Sequence, residues 1–515
     1  MTKLLKIALF IFIAVSTLCA QETERYDNPV IPGDRPDPSV IRVGGDYWAI
    51  TTSGTWEPEF SIFHSRDLVQ WKIAGAVFQT RPDWAERDFW APEISSDRGR
   101  FFVYYTARKK KGPLCVAVAT ASVPSGPYTD HGPLVCQKIG SIDALAVTDD
   151  GGARYLVWKE DGNSRSQPTP IWAQRLSDDG LKLLGKKVEL IHNDPRSWEG
   201  GVVEGAFILR HGSWFYLFYS GNACCGRRCN YALGVARSSN LLGPYEKYAA
   251  NPILAENKLW QCPGHGSIVT DSEGRDFLLY HAYRKSESAF FIGREALLDR
   301  VFWGADGWPK INEGRGPSGR GAFATAGPTD SLFDGFEGPN LERTWQWPQF
   351  QRPSIKVDAD GWLTLSPVTK HANDELGAVL SQPVTTGTFT ATTFVDTSLM
   401  KPPGVAGLSG YQGREEAVGI TVGGGTVSTY VREGKKHQTV SCENSLNASR
   451  IYLRMTVVEG SRFRFAFSQD GENWTPCGSE IQVALEAVRI ALTAGGEKGV
   501  AAKFDWLRVT SKSAP

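Results

Sequence analysis

The stretch VVEGAFILRHGSWFYLFY (residues 202–219) joins an acidic residue, Glu204, to an aromatic-rich apolar run that begins at Trp214. The same combination recurs along the chain, with an acidic residue or a histidine about ten residues ahead of each run. The five runs begin at residues 47, 101, 155, 214 and 277, so successive runs lie 54 to 63 residues apart. That distance fits a four-stranded sheet with long loops. Five such sheets arranged radially form a β-propeller, which leaves few sheet edges exposed.

The residues ahead of the runs are Asp37, Glu93, Asp143, Glu204 and His265. If each repeat is a blade, these residues lie at the head of the inner strands and face one central channel. Carboxylates gathered there cannot all keep ordinary pKa values, because like charges and desolvation raise at least one of them. One ionised carboxylate and one protonated carboxyl group are the equipment for hydrolysing a glycosidic bond. The repeat therefore predicts acid–base chemistry on the propeller axis.

Length and composition bound the kind of protein. A chain of 515 residues with 41% hydrophobic residues suits one large repeat domain plus a second domain. Basic and acidic residues balance at 56 each, so no long-range field favours nucleic acid or an anionic membrane surface as a partner.

The N-terminus has the pattern of an export signal. Lys3 and Lys6 precede an apolar stretch over residues 7–15, and small residues end at Ala20. The stretch is too short for a membrane span. We therefore expect a signal peptide over residues 1–20 and a secreted or periplasmic protein without membrane attachment after its removal. Lipidation at Cys19 is the alternative, which the large Leu18 disfavours.

Eight cysteines remain after that signal, and an even number in an exported protein allows disulfides whose connectivity the sequence does not give. Cys442 and Cys477 are the only two in the C-terminal third and could form a bridge. The cluster Cys224, Cys225 and Cys229 suggests zinc, but it lacks a second pair of ligands at finger spacing. We expect a disulfide-stiffened loop there.

Short runs of Val, Ile, Tyr, Phe and Trp between turn signals predict an all-β protein. The propeller is expected over residues 27–325, and the Gly-, Ser- and Pro-rich segment 314–327 closes it or links it to the next domain. The repeat is then lost, and alternating strands predict an antiparallel β-sandwich over residues 331–512. The predicted fold is a five-bladed β-propeller followed by a C-terminal antiparallel β-sandwich.

Several segments resemble those of glycoside hydrolase family 43, whose members are five-bladed propeller enzymes acting on arabinose- and xylose-containing glycans. The matching segments appear in family order over roughly residues 28–310, and their number makes the resemblance specific. They include residues 35–40 (RPDPSV), 65–71, 90–94 (WAPEI), 142–143, 203–205 (VEG), 221–225, 231–238, 264–267 (GHGS) and 293–294.

The resemblance implies that Asp37 is the general base that activates water and that Glu204 is the general acid. Asp143 would tune the pKa of Glu204 and help to orient it. The implied outcome is inversion in a single displacement, with no cofactor required for the chemistry. Arg294 would sit beside Asp143 or Glu204 and stabilise the charged state.

The resemblance also implies two substrate contacts. Trp90 is a candidate platform for a sugar ring, with an ordinary core role as the alternative. His265 matches the family histidine near a calcium ion or a water cluster on the axis, and an imidazole would reach a hard cation through water. Glu199 is a rival acid, but the repeat register and the VEG match favour Glu204. The usual Asp-Pro at the second aspartate is Asp143-Ala144 here, a departure that weakens the assignment of Asp143.

The C-terminal region resembles the concanavalin-like sandwich of many family members. Its termini are expected to lie close together, so Asp334 and Asp505 could jointly hold a structural Ca²⁺.

Taken together, the sequence predicts an exo-acting glycosidase that releases terminal α-L-arabinofuranose or β-D-xylose from plant cell-wall glycans. An endo-arabinanase is one alternative. A non-catalytic glycan-binding propeller is another, disfavoured because the acid–base set is intact. A fructan-acting retaining hydrolase would share the architecture, but it fits the WAPE and GHGS segments less well.

Overall fold

A computed structural model describes residues 26–321, 331–368, 374–443 and 445–511. The expected signal peptide, residues 1–20, lies outside the described residues. Helical structure within them is confined to the α-helix Ala289–Ile292 and the 3₁₀ turns Gly162–Arg165 and Asn312–Gly314. Antiparallel strands make up the rest of the regular structure, and the all-β fold class is confirmed.

Five four-stranded antiparallel sheets form the first unit, in chain order, and we call them blades 1 to 5. The inner strand of each blade neighbours the inner strands of the next and previous blades, and blade 5 returns to blade 1. The five-bladed propeller is therefore closed. From inner to outer, the strands are Ser39–Val43, Asp46–Ile50, Glu59–Ser65 and Lys72–Phe78 in blade 1; Ala85–Asp97, Arg100–Lys109, Leu114–Ala121 and Thr129–Val135 in blade 2; Ser141–Thr148, Arg154–Glu160, Ile171–Leu176 and Leu183–Ile191 in blade 3; Val203–His211, Trp214–Gly221, Ala232–Ser238 and Glu246–Lys247 in blade 4; and Trp260–Thr270, Asp276–Arg284, Glu295–Trp303 and Pro309–Ile311 in blade 5.

The aromatic runs of the sequence form the second strand of every blade. These strands are covered on both faces, so they are continuously apolar rather than alternating. In blade 2, Phe102 and Tyr104 pack towards blade 3, whereas Val103 and Tyr105 pack towards blade 1. The repeat in the sequence thus reflects burial between neighbouring blades.

Short contacts between the two ends of the propeller close the ring. Tyr26–Asp27 pairs antiparallel with Arg320–Gly321. The side-chain amide of Asn28 donates to the carbonyl oxygen of Leu298 in blade 5 at 3.0 Å.

One backbone feature recurs at the head of all five inner strands. A residue there has a positive φ, between 40° and 59°, in every blade: Asp37, Ala91, Asp143, Gly205 and His265. The structure therefore corrects the register taken from the sequence, because the equivalents in blades 2 and 4 are Ala91 and Gly205. Glu93 and Glu204 lie two residues after and one residue before these positions.

Two antiparallel sheets form the second unit, the predicted sandwich. One sheet has nine strands: Ser331–Asp334, Ser354–Val357, Leu363–Ser366, Phe389–Asp396, Arg450–Val458, Arg462–Ser468, Thr475–Pro476, Ile481–Gln482 and Ala502–Ser511. The other has six: Ala378–Pro383, Val405–Gly413, Glu416–Gly423, Thr426–Glu433, Lys436–Glu443 and Arg489–Gly495. A single apolar core of Leu, Val, Ile and Phe side chains lies between them.

The two units are joined by backbone pairing and by side-chain packing. The strand Trp56–Glu57 of the propeller pairs with Trp347–Pro348. Phe291 and Ile292, from the propeller helix, belong to the apolar core of the sandwich. The backbone amide of Ala487 donates to the carbonyl oxygen of Phe290 at 2.8 Å.

The eight cysteines of the described residues form four disulfides. They are Cys115–Cys136, Cys224–Cys225, Cys229–Cys262 and Cys442–Cys477. All three cysteines of the suspected zinc cluster are consumed in disulfides, and the bridge in the C-terminal third is present as expected.

Candidate active site

Four of the expected residues meet where the inner strands converge on the propeller axis. Nδ1 of His265 lies 3.4 Å from Oδ1 of Asp37 and 4.0 Å from Oδ2 of Asp143. The backbone amide of Gly205, next to Glu204, donates to Oδ2 of Asp143 at 2.9 Å. The inner strands of blades 1, 3, 4 and 5 thus bring two aspartates, a glutamate and a histidine into one buried cluster.

Asp37 is held as an anion. Its Oδ2 accepts a hydrogen bond from the hydroxyl of Thr52 at 2.7 Å, and its Oδ1 lies 3.3 Å from Nη1 of Arg294. Burial alone would raise the pKa of Asp37, but Arg294, His265 and His281 outweigh it and hold that pKa well below its ordinary value. A carboxylate that stays ionised at all ordinary pH values is suited to accept a proton from water.

Asp143 has the opposite tendency. Burial, and after it the neighbouring carboxylate of Glu204, raise the pKa of Asp143 to about 6, against the opposing charges of His265 and Lys159. Among Asp37, Asp143 and Glu204, Asp143 is thus the carboxyl group that most readily carries a proton.

Glu204 is clamped by two residues that the sequence analysis did not single out for a role. Nζ of Lys159 donates to Oε2 at 2.7 Å, and the hydroxyl of Tyr231 donates to Oε1 at 2.9 Å. Burial would raise the pKa of Glu204. Lys159, through its charge and its hydrogen bond, together with His265 and Tyr231 outweighs burial and lowers that pKa. We expected Asp143 to tune the pKa of Glu204, and in the structure the raised pKa belongs to Asp143 itself.

Lys159 left a signal in the sequence. It directly follows the aromatic run of blade 3, on a strand covered on both faces, and its side chain is 1% exposed. A lysine in such a strand needs an acidic partner. Burial would lower the pKa of Lys159, but Glu204, Asp143 and Asp161 together raise it.

The position of Arg294 corrects the expectation from the sequence. It pairs with Asp37, and not with Asp143 or Glu204. Its backbone explains the difference, because the amide of Arg294 is held by Oδ1 of Asp34 at 2.9 Å and the amide of Arg35 is held by the carbonyl oxygen of Arg294. These bonds fix Arg294 to the segment that carries Asp37.

The other expected residues take separate places. Trp90 is half-buried on the inner strand of blade 2, opposite Thr106, so its contact with a sugar stays a prediction. Glu93 borders a cavity of only about 10 Å³ together with Asp37, Asp143 and His265. Burial raises the pKa of Glu93 to about 8, which keeps it neutral.

The rival acid Glu199 is fully engaged elsewhere. One of its oxygens accepts from the hydroxyl of Tyr219, and the other accepts from Nζ of Lys247 and the backbone amide of Asp194, each at 2.7 Å. Glu199 therefore stabilises the loop before blade 4.

Hydrogen bonds within the sandwich occupy Asp334, one of the two residues proposed for calcium. One oxygen of Asp334 accepts from the indole nitrogen of Trp345 at 2.6 Å and the other from the amide of Phe336 at 2.8 Å. Among the described residues, no group of three or more His, Cys, Asp or Glu side chains is placed to hold a metal ion. The calcium ion at Asp334 and Asp505 stays a prediction, and the hydrogen bonds of Asp334 do not favour it.

Within the described part of the chain, no helix is long and apolar enough to cross a membrane.

Two family models match the chain. The model described as glycosyl hydrolases family 43 matches residues 26–309. The model described as the beta xylosidase C-terminal concanavalin A-like domain matches residues 333–510.

Curated relatives include glycosidases. A xylosidase/arabinosidase 43B of Humicola insolens is 30% identical over 308 residues, which cover 56% of this chain and 56% of that protein. An extracellular exo-alpha-(1->5)-L-arabinofuranosidase of Cellvibrio japonicus is 28% identical, over 54% of this chain and 87% of its own. A putative beta-xylosidase of Escherichia coli is 27% identical over 87% of this chain and 90% of its own. The match to the first of these spans just over half of that relative's length.

Solved structures share the architecture of both domains. A GH43 protein of Bacillus licheniformis superposes with a TM-score of 0.80, at 24% identity, over 95% of this chain and all of that one. A Bacteroides ovatus xyloglucan-locus GH43B structure gives a TM-score of 0.79, at 22% identity, over 95% and 100% of the two chains. At these identities the likeness concerns the fold.

Proposed function

Because the chain belongs to glycosyl hydrolase family 43, we propose that it is an inverting, exo-acting glycosidase that releases terminal α-L-arabinofuranose or β-D-xylose. The observation that carries the proposal is the meeting of Asp37, Asp143 and Glu204 around His265 on the propeller axis. The names of the curated relatives support the class of sugar and the exo mode of action.

Asp37 acts as the base in this mechanism. Thr52 orients it, because the hydroxyl of Thr52 accepts from the amide of Ala91 at 2.7 Å and so directs its own hydrogen to Asp37. Asp37 takes a proton from a water molecule as the water oxygen bonds to the anomeric carbon. Before the transfer, the positive charge of Arg294 stabilises the carboxylate of Asp37 and thereby limits its basicity.

Glu204 acts as the acid. The buried pair of Asp143 and Glu204 takes up one proton as the pH falls through about 6. We place this proton on Glu204 when substrate is bound, because the glycosidic oxygen then lies ready to accept it. The bond between the anomeric carbon and that oxygen breaks as the proton transfers, and Lys159 stabilises the carboxylate that remains.

The proposed partner is an arabinose- or xylose-containing glycan. We also propose that the protein acts outside the cytoplasm, which the lysine-flanked apolar N-terminus and the extracellular relative support. In the proposed displacement, Asp37 and Glu204 move the protons and water supplies the nucleophile.

Hydrolysis of paired aryl α-L-arabinofuranoside and β-D-xyloside substrates tests the proposal, with Asp37→Ala as the inactive control. We expect release from at least one substrate, lost in the variant, and inversion in a product-anomer assay by NMR. Retention of configuration would contradict the single displacement. No release from either substrate would point to an endo-acting enzyme or to a glycan-binding protein.

A further inference from the structure

Two buried arginines lie at the boundary between the domains without an anionic partner. Arg35 precedes blade 1 and is 7% exposed, and Arg489 begins a strand of the six-stranded sheet and is 5% exposed. Nε of Arg35 and Nη1 of Arg489 are buried and have no hydrogen-bond partner within the part of the chain that the structure describes. Among the described residues, neither guanidinium group forms an ion pair within 4.0 Å. Their guanidinium groups lie over aromatic rings, Arg35 at 5.2 Å from the ring centre of Phe63 and Arg489 at 4.0 Å from that of Trp56. A ring face leaves the N–H donors at the guanidinium edge, and a buried charge without an anionic partner is costly, so a counter-charge is expected there.

The two arginines belong to one neighbourhood. Gly33 packs close to Pro383 and Val384, and Pro383 is the cross-strand partner of Arg489. Burial, followed by the charge of Arg35, lowers the pKa of Arg489 to about 9, and burial lowers that of Arg35 to about 10.

Asp34 is the acid whose charge acts on both arginines. Its Oδ1 already accepts the backbone amide of Arg294. Two cations therefore share one carboxylate that is engaged elsewhere, and the cluster keeps an uncompensated positive charge.

A cavity borders this cluster. Its volume is about 240 Å³, and the described residues of its wall include Arg35, Gln382, Thr344 and Pro383 but no acidic residue. The amide nitrogen of Gln382 is also buried, with no hydrogen-bond partner among the described residues. Hydrogen-bond donors, a positive charge and the absence of carboxylates together suit an anion and disfavour a cation.

We propose that the domain boundary holds an anion-binding site in which Arg35 and Arg489 bind a small oxyanion, with the amide of Gln382 at the adjoining cavity wall. The planar guanidinium fork matches a carboxylate, which could be a free anion or the uronic acid of a glycan. The site lies outside the catalytic cluster and adds a ligand that the proposed hydrolysis does not require.

Thermal unfolding of the intact protein tests the site with acetate, glucuronate and uncharged glucose at millimolar concentrations, with the ionic strength held by sodium chloride. For the wild type we expect a saturable rise of the melting temperature with the carboxylates, on the order of 2 °C or more, because a ligand of the folded state stabilises it. Glucose should give no rise. Arg35→Gln and Arg489→Gln should each lose the rise, whereas Arg66→Gln, at a side chain that is 85% exposed, should keep it.

A second readout separates binding from packing. Without an added carboxylate, Arg489→Gln should melt close to the wild type, because the removal of a buried charge without an anionic partner offsets the lost contact with the Trp56 ring, which lies 4.0 Å from the guanidinium group. An equal rise with acetate and glucuronate would identify a free carboxylate as sufficient, and saturation at lower glucuronate concentration would identify a uronic acid. The absence of a saturable rise, or the same rise in all four proteins, would overturn the proposal. None of these outcomes depends on glycosidase activity.

Discussion

Lys159 influences which of two neighbouring carboxyl groups, Asp143 or Glu204, carries the proton. Its ammonium group contacts Glu204 at 2.7 Å, and the raised pKa falls on Asp143 instead. Lys159 favours the ionised form of Glu204. Glu204 needs its proton only when the glycosidic oxygen of a substrate is present to receive it. At the residue scale, Lys159 therefore joins the three carboxyl groups of the acid–base set.

Exchange of Lys159→Met should move the alkaline limb of the kcat/KM–pH profile upward by roughly one unit. Without the cation, only the smaller effects of His265 and Tyr231 oppose burial, so the pKa of Glu204 rises and the acid stays protonated to higher pH. Lys247→Met is the matched control, because Lys247 contacts Glu199 at the same distance of 2.7 Å outside the catalytic cluster. A limb that stays in place in Lys159→Met would remove Lys159 from this role.

The proton donor is tested by leaving groups of different acidity. Glu204→Gln should reduce kcat roughly 10²–10⁴-fold on natural glycans, whose poor leaving oxygen needs a proton. On activated aryl glycosides the loss should be much smaller, because the phenolate leaves unaided. Steady-state kinetics on both substrates measure the difference, and equal losses would show that Glu204 is not the acid.

Glu59 gives a prediction for stability. Burial, followed by repulsion from Glu57, raises the pKa of Glu59 from 4.5 to about 9. Between these values the folded protein holds a proton that the unfolded chain releases, so stability is full below pH 4.5 and falls as the pH rises towards 9. Glu59→Gln should remove this fall and be more stable than the wild type at pH 8, by on the order of 2–4 kcal/mol.

The advantage of Glu59→Gln should vanish near pH 4, and urea unfolding at both pH values measures it. Glu246→Gln, at a side chain that is 67% exposed, is the control and should leave the pH dependence unchanged. A constant difference between Glu59→Gln and wild type at the two pH values would show that Glu59 is ionised in the folded state.

The inner strands are the elements that aim the catalytic side chains. Each carries a residue at positive φ, within the strand or just before it. In blades 2 to 5 a bulge there shifts the pairing with the second strand, as between Gly264 and Ser267 in blade 5. Close backbone contacts fix the bulge. A Cβ at Gly266 would lie 2.2 Å from the carbonyl oxygen of Leu279, so only glycine fits.

Gly266→Ala should therefore displace the strand that carries His265. We expect a cost of roughly 1–3 kcal/mol from overpacking and a fall in kcat/KM. The matched control is Gly45→Ala, where a Cβ meets nothing within 4 Å. Thermal melting and steady-state kinetics measure both variants. If Gly266→Ala and Gly45→Ala behaved alike, close packing at Gly266 would not fix the strand.

At the scale of the whole molecule, the propeller and the sandwich share apolar packing. Phe291 is 3% exposed and lies in the core of the sandwich, although it belongs to the propeller. The strand Trp56–Glu57 pairs with Trp347–Pro348 across the same boundary. We therefore expect the two domains to unfold together.

Phe291→Ala should lower the stability of both domains by roughly 3–5 kcal/mol, as expected for a phenylalanine lost from a core. Scanning calorimetry should show one transition in the wild type and a single shifted transition in the variant. Phe333→Ala, at a ring that is 53% exposed, is the control and should change little. Two separate transitions, with only one of them shifted, would show that the domains are independent.

The sequence by itself determined the repeat and the all-β fold, because burial between blades requires apolar runs at a regular distance. The position of the carboxylates ahead of these runs identified them. It also indicated Asp37, Asp143, Glu204 and His265, which the structure brings together.

Only the tertiary structure decided the contacts between blades. Contacts between residues distant in the chain include the pairing of Arg294 with Asp37, the hydrogen bonds of Lys159 and Tyr231 to Glu204, and the packing of Arg35 on Phe63 and of Arg489 on Trp56. No local pattern encodes such contacts, since they depend on how the inner strands bulge and how the two domains meet. The pKa order within the site follows from these contacts, and so it too became accessible only in three dimensions.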